Sequence, residues 1–372
     1  MRRPSLRLRL GTPWRRMLAL AIPLTVVGIV ASAALPVPYV VVSPGPVFNT
    51  LGDYDGRPLI QITGSAEHPT YPTTGALDMT TVSERGGPYG PLTLTEAITA
   101  VFDDAAAVVP KELLFPPGES SVQSKERSAA DFDGAQSNAV AAALTHLGIP
   151  VTDEAFVASV LDDGPAAGVI EPGDVILSVN GVDATGPNSV VDAVQHTAPG
   201  TELPMVVRRD GKETPLTVRV GAKPDHPDQG YLGISIKSSF TAPFPIDFTL
   251  EGVGGPSAGL MFTLAITDEL TPGELTGGRT IAGTGTIDPA GNVGAIGGIG
   301  QKMAAAQEAG AELFLAPTSN CDVVRTSTPP GLEVAAVATL EEALAAIADH
   351  NAGRPVNACA PAAEGVTAAH AP

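Results

Sequence analysis

The sequence predicts a mixed α/β (α+β) protein behind one N-terminal apolar helix, with a small, mostly-β domain near its centre. Three observations predict it. An uncharged run, Met17 to Leu35, follows a block of arginines. A central stretch alternates short apolar runs with Gly/Pro turns and ends on an Asp-Gly hairpin. In the C-terminal third, glycine-rich turns lead into apolar-periodic helices. With 372 residues, 44% hydrophobic and 16% charged, the chain has material for two or three domains.

The N-terminal 16 residues carry six arginines and no acid, and no charge appears between Met17 and Gly52. Nineteen helical residues span about 28 Å, one hydrocarbon thickness. The positive-inside rule then predicts a cytoplasmic basic tail (1–16), a transmembrane helix (17–38) and a chain that continues outside. Trp14 falls where an interfacial aromatic would. A cleaved signal peptide is the rival, with Ala31-Ser32-Ala33 as its cleavage pattern. Both place the body outside the cytoplasm, where no ATP is expected and disulfides are permitted, and the uncleaved anchor keeps it at the cell membrane. Cys321 and Cys359 either pair there or stay as two free thiols. Two cysteines are too few for a zinc site, and no metal or cofactor is expected. The net charge of −19, acidic once the arginine block is set aside, argues against a nucleic-acid partner.

Residues 39–146 form an N-terminal extracytoplasmic region. Tyr39–Val42 and Leu59–Ile62 read as strands, and Thr93-Leu94-Thr95-Glu96 as a helix-opening capping box. Residues 116–130 read as a loop, and 132–146 as a helix that stops near Gly148. Next come the strand Phe156–Leu161, "GPAAGVIEPGDVILSVNGV", a short helix 189–196 capped by Asn188, and a hairpin turning at Asp210-Gly211. This stretch, 147–222, resembles a bacterial PDZ domain. The resemblance implies a peptide added as a strand beside the short helix, its carboxylate held by backbone N–H groups. The matching loop is Leu147-Gly148-Ile149; Tyr231-Leu232-Gly233-Ile234 has the same look but follows the domain.

In EGVGGPSAGLMFTLAITDEL, Ser257 sits on a glycine-rich turn entering a helix N-terminus, a place that suits an oxyanion. A serine nucleophile needs a base. No histidine occurs between His226 and His350, and Lys302 is the only lysine after Lys237. Lys302 falls in the first turn of a helix read as Gln301–Ala309, among Ile296, Ile299 and Met303. The helix dipole and the apolar surround both push its amine towards neutrality, as a general base near pH 7 requires. Glu312–Ala316 and Leu332–Val337 read as strands, and Thr339–Glu342 as the cap of a helix 340–349. Asp268, Glu269, Glu341 and Glu342 read as solvated helix ends, and 355–372 as a disordered Ala/Pro-rich tail.

"GGPSAG", then "GAIGGIGQKMAAAQEAG" and "LFLAP", together resemble the proteolytic domain of Lon proteases over 226–350. The resemblance implies Ser257 as nucleophile, Lys302 as base and Thr284 as the hydroxyl that orients the lysine. Gly254 and Gly255 support the nucleophile turn, with a preceding glycine N–H joining Ser257 N–H around the oxyanion. Gly254 stands where Lon enzymes often carry an acid, and no Walker A sequence is present, so no nucleotide is expected. Anchor, PDZ and Lon-like segments together resemble membrane-anchored, ATP-independent Lon-type PDZ proteases. The implied partners are protein or peptide substrates, the lipid bilayer and further copies of the chain in a ring. The Lon-like match is short for a whole catalytic fold, so residues 40–130 are expected to supply strands around an inserted PDZ. An inactive PDZ scaffold on a Lon-like fold is the alternative. A phosphate-binding enzyme is a third reading, disfavoured by the acidic domain.

Overall fold

The computed structural model describes residues 17, 20–26, 28 and 35–360. The chain divides into two compact units. One comprises the residues up to Gly45 with Val82–Ser124, the other Pro46–Thr81 with the chain from Lys125 onward. Two long strands, β1 (Tyr39–Asn49) and β2 (Ala76–Gly86), each pass from one unit into the other.

In the first unit, Tyr39–Val42 of β1 pairs antiparallel with β3 (Ala107–Pro110) around Val40, Val42 and Phe115. Helix α1 (Leu94–Val101) opens on the expected capping box: Glu96 N donates to Thr93 Oγ1 at 3.3 Å, and Thr93 N to Glu96 Oε2 at 2.9 Å. The expected basic tail lies outside the described residues, as does much of the expected span 17–38. The end of that span departs from the expectation, because Pro36–Val37 is a strand paired with Leu92–Thr93. No helix among the described residues is long and apolar enough to cross a membrane.

Helix α2 (Ser121–His146) starts well before the expected 132 and takes in much of the expected loop 116–130. A second capping box explains the early start. Gln123 N donates to Ser120 Oγ, while Ser120 N and Oγ–H donate to Gln123 Oε1.

The small β domain lies within the second unit. Its strands are β4 (Thr152–Val160), β5 (Val175–Val179), β6 (Glu202–Arg209) and β7 (Lys212–Arg219). The sheet runs β7-β6-β5-β4 and then β8 (Ile234–Thr241) at its edge. The β8 strand is a correction, since the sequence reading placed it in the Lon-like segment. It pairs antiparallel with β4, from Ile234 opposite Val160 to Thr241 opposite Thr152. Helix α3 (Pro187–Gln195) buries Val190 and Val194 against this sheet. Gly186 with φ 106° is its N-cap, not the expected Asn188. The hairpin turns through Asp210 and Gly211, both at positive φ, as an Asp-Gly turn requires.

The C-terminal sheet is built on parallel pairings. β9 (Thr280–Gly283) lies between Ala76–Met79 of β2 and β10 (Leu313–Pro317), and β10 pairs on with β11 (Glu333–Val337). Strands from residues 46–81 thus complete the sheet, and a second pair joins Ile60–Ile62 to Ile246–Phe248. Helices cover both faces, as a parallel sheet demands. On one face Leu77, Met79, Ile281 and Leu313 meet α4 (Gly259–Leu270) and α7 (Leu340–Asn351). On the other, Ala282, Phe314 and Ala316 meet α5 (Ile299–Glu308) and α6 (Cys321–Ser327). Every residue of α4 from Gly259 to Asp268 is buried, which makes it the central helix of this unit. The tail departs from expected disorder as far as it is described. Ala336 N donates to Asn357 O, and Cys359 is bonded to Cys321; residues 361–372 lie outside the described residues.

Candidate active site

Ser257 lies on the turn just before α4, which begins at Gly259. The turn is tied down from two sides. Gly285 N and Thr284 Oγ1–H both donate to Ser257 O, at 3.0 and 3.1 Å. Leu260 N returns a bond to Gly285 O. Gly255, at φ 86°, supplies a conformation that side chains resist.

Lys302 reaches the same point from α5. That helix starts at Ile299 behind Gly298, an N-cap in the left-handed conformation. Lys302 is therefore its fourth residue, and its N–H already bonds Gly298 O. The expected first-turn position and its dipole effect do not hold, because the unpaired N–H groups precede it. Burial supplies the perturbation instead. Lys302 is 3% exposed, and desolvation lowers its amine from 10.5 to about 7.

Nζ of Lys302 is 2.5 Å from Ser257 Oγ and 2.9 Å from Thr284 Oγ1. The hydroxyl of Thr284, fully buried, is committed to Ser257 O, so its free lone pairs accept an N–H of the amine. A neutral amine held this way turns its lone pair to Ser257, whose O–H then donates to it. Ser257 Oγ, Lys302 Nζ, Thr284 Oγ1 and Ser257 O thus lie along one run of hydrogen bonds.

Of the two supporting glycines, Gly255 departs from one expected role. Gly255 N–H is engaged, donating to Ser128 O at 2.9 Å, so it does not serve an oxyanion. Gly254 packs against the same serine: a Cβ there would lie 2.7 Å from Ser128 Cβ. Among the described residues, Ser257 N–H and Ala258 N–H donate to no protein group and remain for an oxyanion. Ser128, on α2, escaped the sequence reading because its contribution is a backbone carbonyl with no side-chain signal.

Buried acids also departed from the reading. Asp268 is 2% exposed, accepts Leu275 N through Oδ1, and burial raises its carboxyl. Burial, and then the neighbouring Asp268, raise Glu269 to about 7. Asp268 lies on the covered stretch of α4 and Glu269, next along, is half-buried, so neither is a solvated helix end. Asp78, opposite Ala282 on β2, is likewise pushed up to about 6 by burial.

The expected carboxylate loop is a helix ending. Leu147 N, Gly148 N and Ile149 N donate to Ala143, Thr145 and Leu144 carbonyls, with Gly148 at φ 70° closing α2. Those N–H groups are spent. The loop beside the sheet edge is Tyr231-Leu232-Gly233-Ile234, which leads into β8. Among the described residues, Leu232 N and Gly233 N donate to no protein group. Phe240 N, near the far end of β8, donates to Ser137 Oγ of α2 at 2.7 Å.

Residues 138–220 match the family described as PDZ domain. Residues 252–348 match the Lon protease (S16) C-terminal proteolytic domain. Among whole proteins, the chain is 46% identical over 72 residues to a probable periplasmic serine endoprotease DegP-like of Pseudomonas savastanoi pv. phaseolicola, covering 19% of this chain and 15% of that protein. The protein of the same name from Ectopseudomonas mendocina is 42% identical over 72 residues, with the same coverage. The chain thus spans about 15% of the length of these relatives. Among solved structures, the PDZ domain of the SdrC-like protein from Listeria innocua is 22% identical over 23% of this chain and 93% of its own, with a TM-score of 0.21. The HtrA-type protease AlgW with decapeptide is 41% identical over 18% of this chain and 22% of its own, with a TM-score of 0.18. The chain is therefore similar to PDZ domains in its middle and to the Lon proteolytic domain in its C-terminal third.

Proposed function

We propose that this protein is an extracytoplasmic serine endopeptidase that works through a Ser257–Lys302 dyad, without nucleotide, and is held to the membrane by its N-terminal apolar segment. The observation that carries the reading is the 2.5 Å approach of Lys302 Nζ to Ser257 Oγ by an amine that burial brings to about 7. Ser257 Oγ attacks the peptide carbonyl carbon while neutral Lys302 takes the hydroxyl proton. Ser257 and Ala258 N–H groups hold the developing oxyanion. The ammonium of Lys302 then gives its proton to the leaving amine, and water, activated by the same amine, releases the acyl group. Thr284 keeps the amine aimed throughout.

Peptide or protein substrates fit the PDZ similarity, with an extended segment adding beside β8 and its carboxylate at Tyr231–Ile234. The anchor rests on the uncharged run Met17–Leu35 behind six arginines. The test compares cleavage of an unstructured protein without ATP by the full chain, Ser257→Ala and Lys302→Ala. Cleavage by the wild type alone supports the dyad; cleavage by either variant rejects it.

A further inference from the structure

Asn320 stands at the N-cap of α6, where an asparagine usually accepts a backbone N–H of its own helix. Here it makes no such bond. Its side chain instead clamps one distant residue at both ends. Oδ1 accepts Ile296 N at 3.0 Å, and Nδ2 donates to Ile296 O at 2.9 Å. Forgoing a cap weakens a helix start, so the clamp has taken precedence over local helix stability.

Ile296 lies two residues before Gly298, the cap of α5, and six before Lys302. The clamp therefore fixes the turn that sets where α5 begins. The core beneath α5 is small: Ile299, Met303 and Ala306 meet Phe314, Ala316, Val324 and Leu332. Cys321 follows Asn320 directly and is bonded to Cys359, which packs on that same core. The arm bearing Cys359 is tied in turn to β11, through Ala336 N to Asn357 O and Asn357 Nδ2 to Ala336 O.

We propose that Asn320 is a positioning residue for the Lys302 amine, and that the Cys321–Cys359 disulfide holds Asn320 in that place. The proposal rests on the dyad reading. It makes the dyad dependent on an oxidising compartment. A dithiol reverses it: the dithiol loses two electrons and closes to its own disulfide, and its two protons pass to Cys321 Sγ and Cys359 Sγ. The freed arm no longer fixes α6, the clamp loosens, and water reaches Lys302.

The test is NMR of the full chain carrying 13Cε-lysine. The chain has six lysines, and Lys302→Arg assigns the resonance. The Lys302 midpoint is measured alongside kcat and KM. In Asn320→Ala the midpoint is expected to rise by about one pH unit as the amine regains water. The expected kcat falls about tenfold at unchanged KM, since small misplacements act on the chemical step. Asn320→Asp keeps the acceptor and loses the donor, and should fall between the two. Dithiothreitol on the wild type, and the Cys321→Ser/Cys359→Ser double variant, should move the midpoint in the same direction.

An unchanged midpoint and kcat in folded Asn320→Ala overturns the positioning role; should that variant not fold, Asn320→Asp is judged by the same measure. An unchanged midpoint after reduction overturns the role of the disulfide. Cleavage retained by Ser257→Ala defeats the dyad reading instead, and leaves these midpoints as they were.

Discussion

Gly255 N–H donates to Ser128 O at 2.9 Å, and this bond joins the nucleophile turn to α2. The turn is thus held by a helix more than a hundred residues away in sequence. The adjacent glycine makes the contact close, since a Cβ at Gly254 would lie 2.7 Å from Ser128 Cβ.

Gly254→Ala should therefore push the turn away from α2 and misplace Ser257. Displacements of this size cost about a hundredfold in rate. The measurement is kcat/KM with a thermal melt: a fall in rate with a nearly unchanged melt is expected. Full activity would show that the close packing has no bearing on the turn.

Thr284→Val keeps the volume and removes the hydroxyl that receives the Lys302 N–H. The lysine should lose its orientation, and Ser257 O one of its two donors. A reduction in kcat of about 10- to 100-fold is expected, by analogy with partners that orient metal ligands. Thr284→Ser, which retains the hydroxyl, should restore most of it.

Lys302 also links pH to stability. Its folded value, about 7, lies below the ordinary 10.5. Between those values the unfolded chain binds the extra proton, so stability rises with pH across that window and the full penalty applies below it. Lys302→Met should accordingly raise the unfolding free energy at pH 7, by on the order of 1–3 kcal/mol. Urea melts at pH 7 and 10 measure it, with the advantage of the variant shrinking at the higher pH.

Gly233 and Gly148 separate the two candidate peptide loops. Gly233→Ala strains a residue at φ 74° beside the Leu232 and Gly233 N–H groups, and should abolish binding of a C-terminal peptide. Gly148→Ala strains the end of α2 and should cost about 1 kcal/mol of stability while leaving peptide affinity unchanged. Fluorescence anisotropy of a labelled peptide distinguishes them.

The different legibility of these features has a physical basis. Ser257 and Lys302 stand out because glycine turns and a scarcity of lysine and histidine isolate them locally, whereas Thr284 is indicated by the resemblance alone. The Asp210-Gly211 hairpin and the Thr93 and Thr339 caps are local signals too, and all three are present. Sheet order is not local. The edge strand β8 comes last in sequence among the strands of its sheet yet flanks β4, the first, so the helix ending at Gly148 resembles the carboxylate loop. The roles of Ser128 O and Asn320 depend on long-range contacts, and burial of Asp268 and Glu269 on packing around α4, none of which has a pattern in sequence.

The most direct test of the dyad is the pH dependence of Ser257 acylation by a fluorophosphonate, followed by mass spectrometry. The rate should rise with pH through a single midpoint near 7 in the wild type and vanish in Lys302→Met. Labelling of Ser257 that persists in Lys302→Met, or that is flat through pH 7, would contradict it.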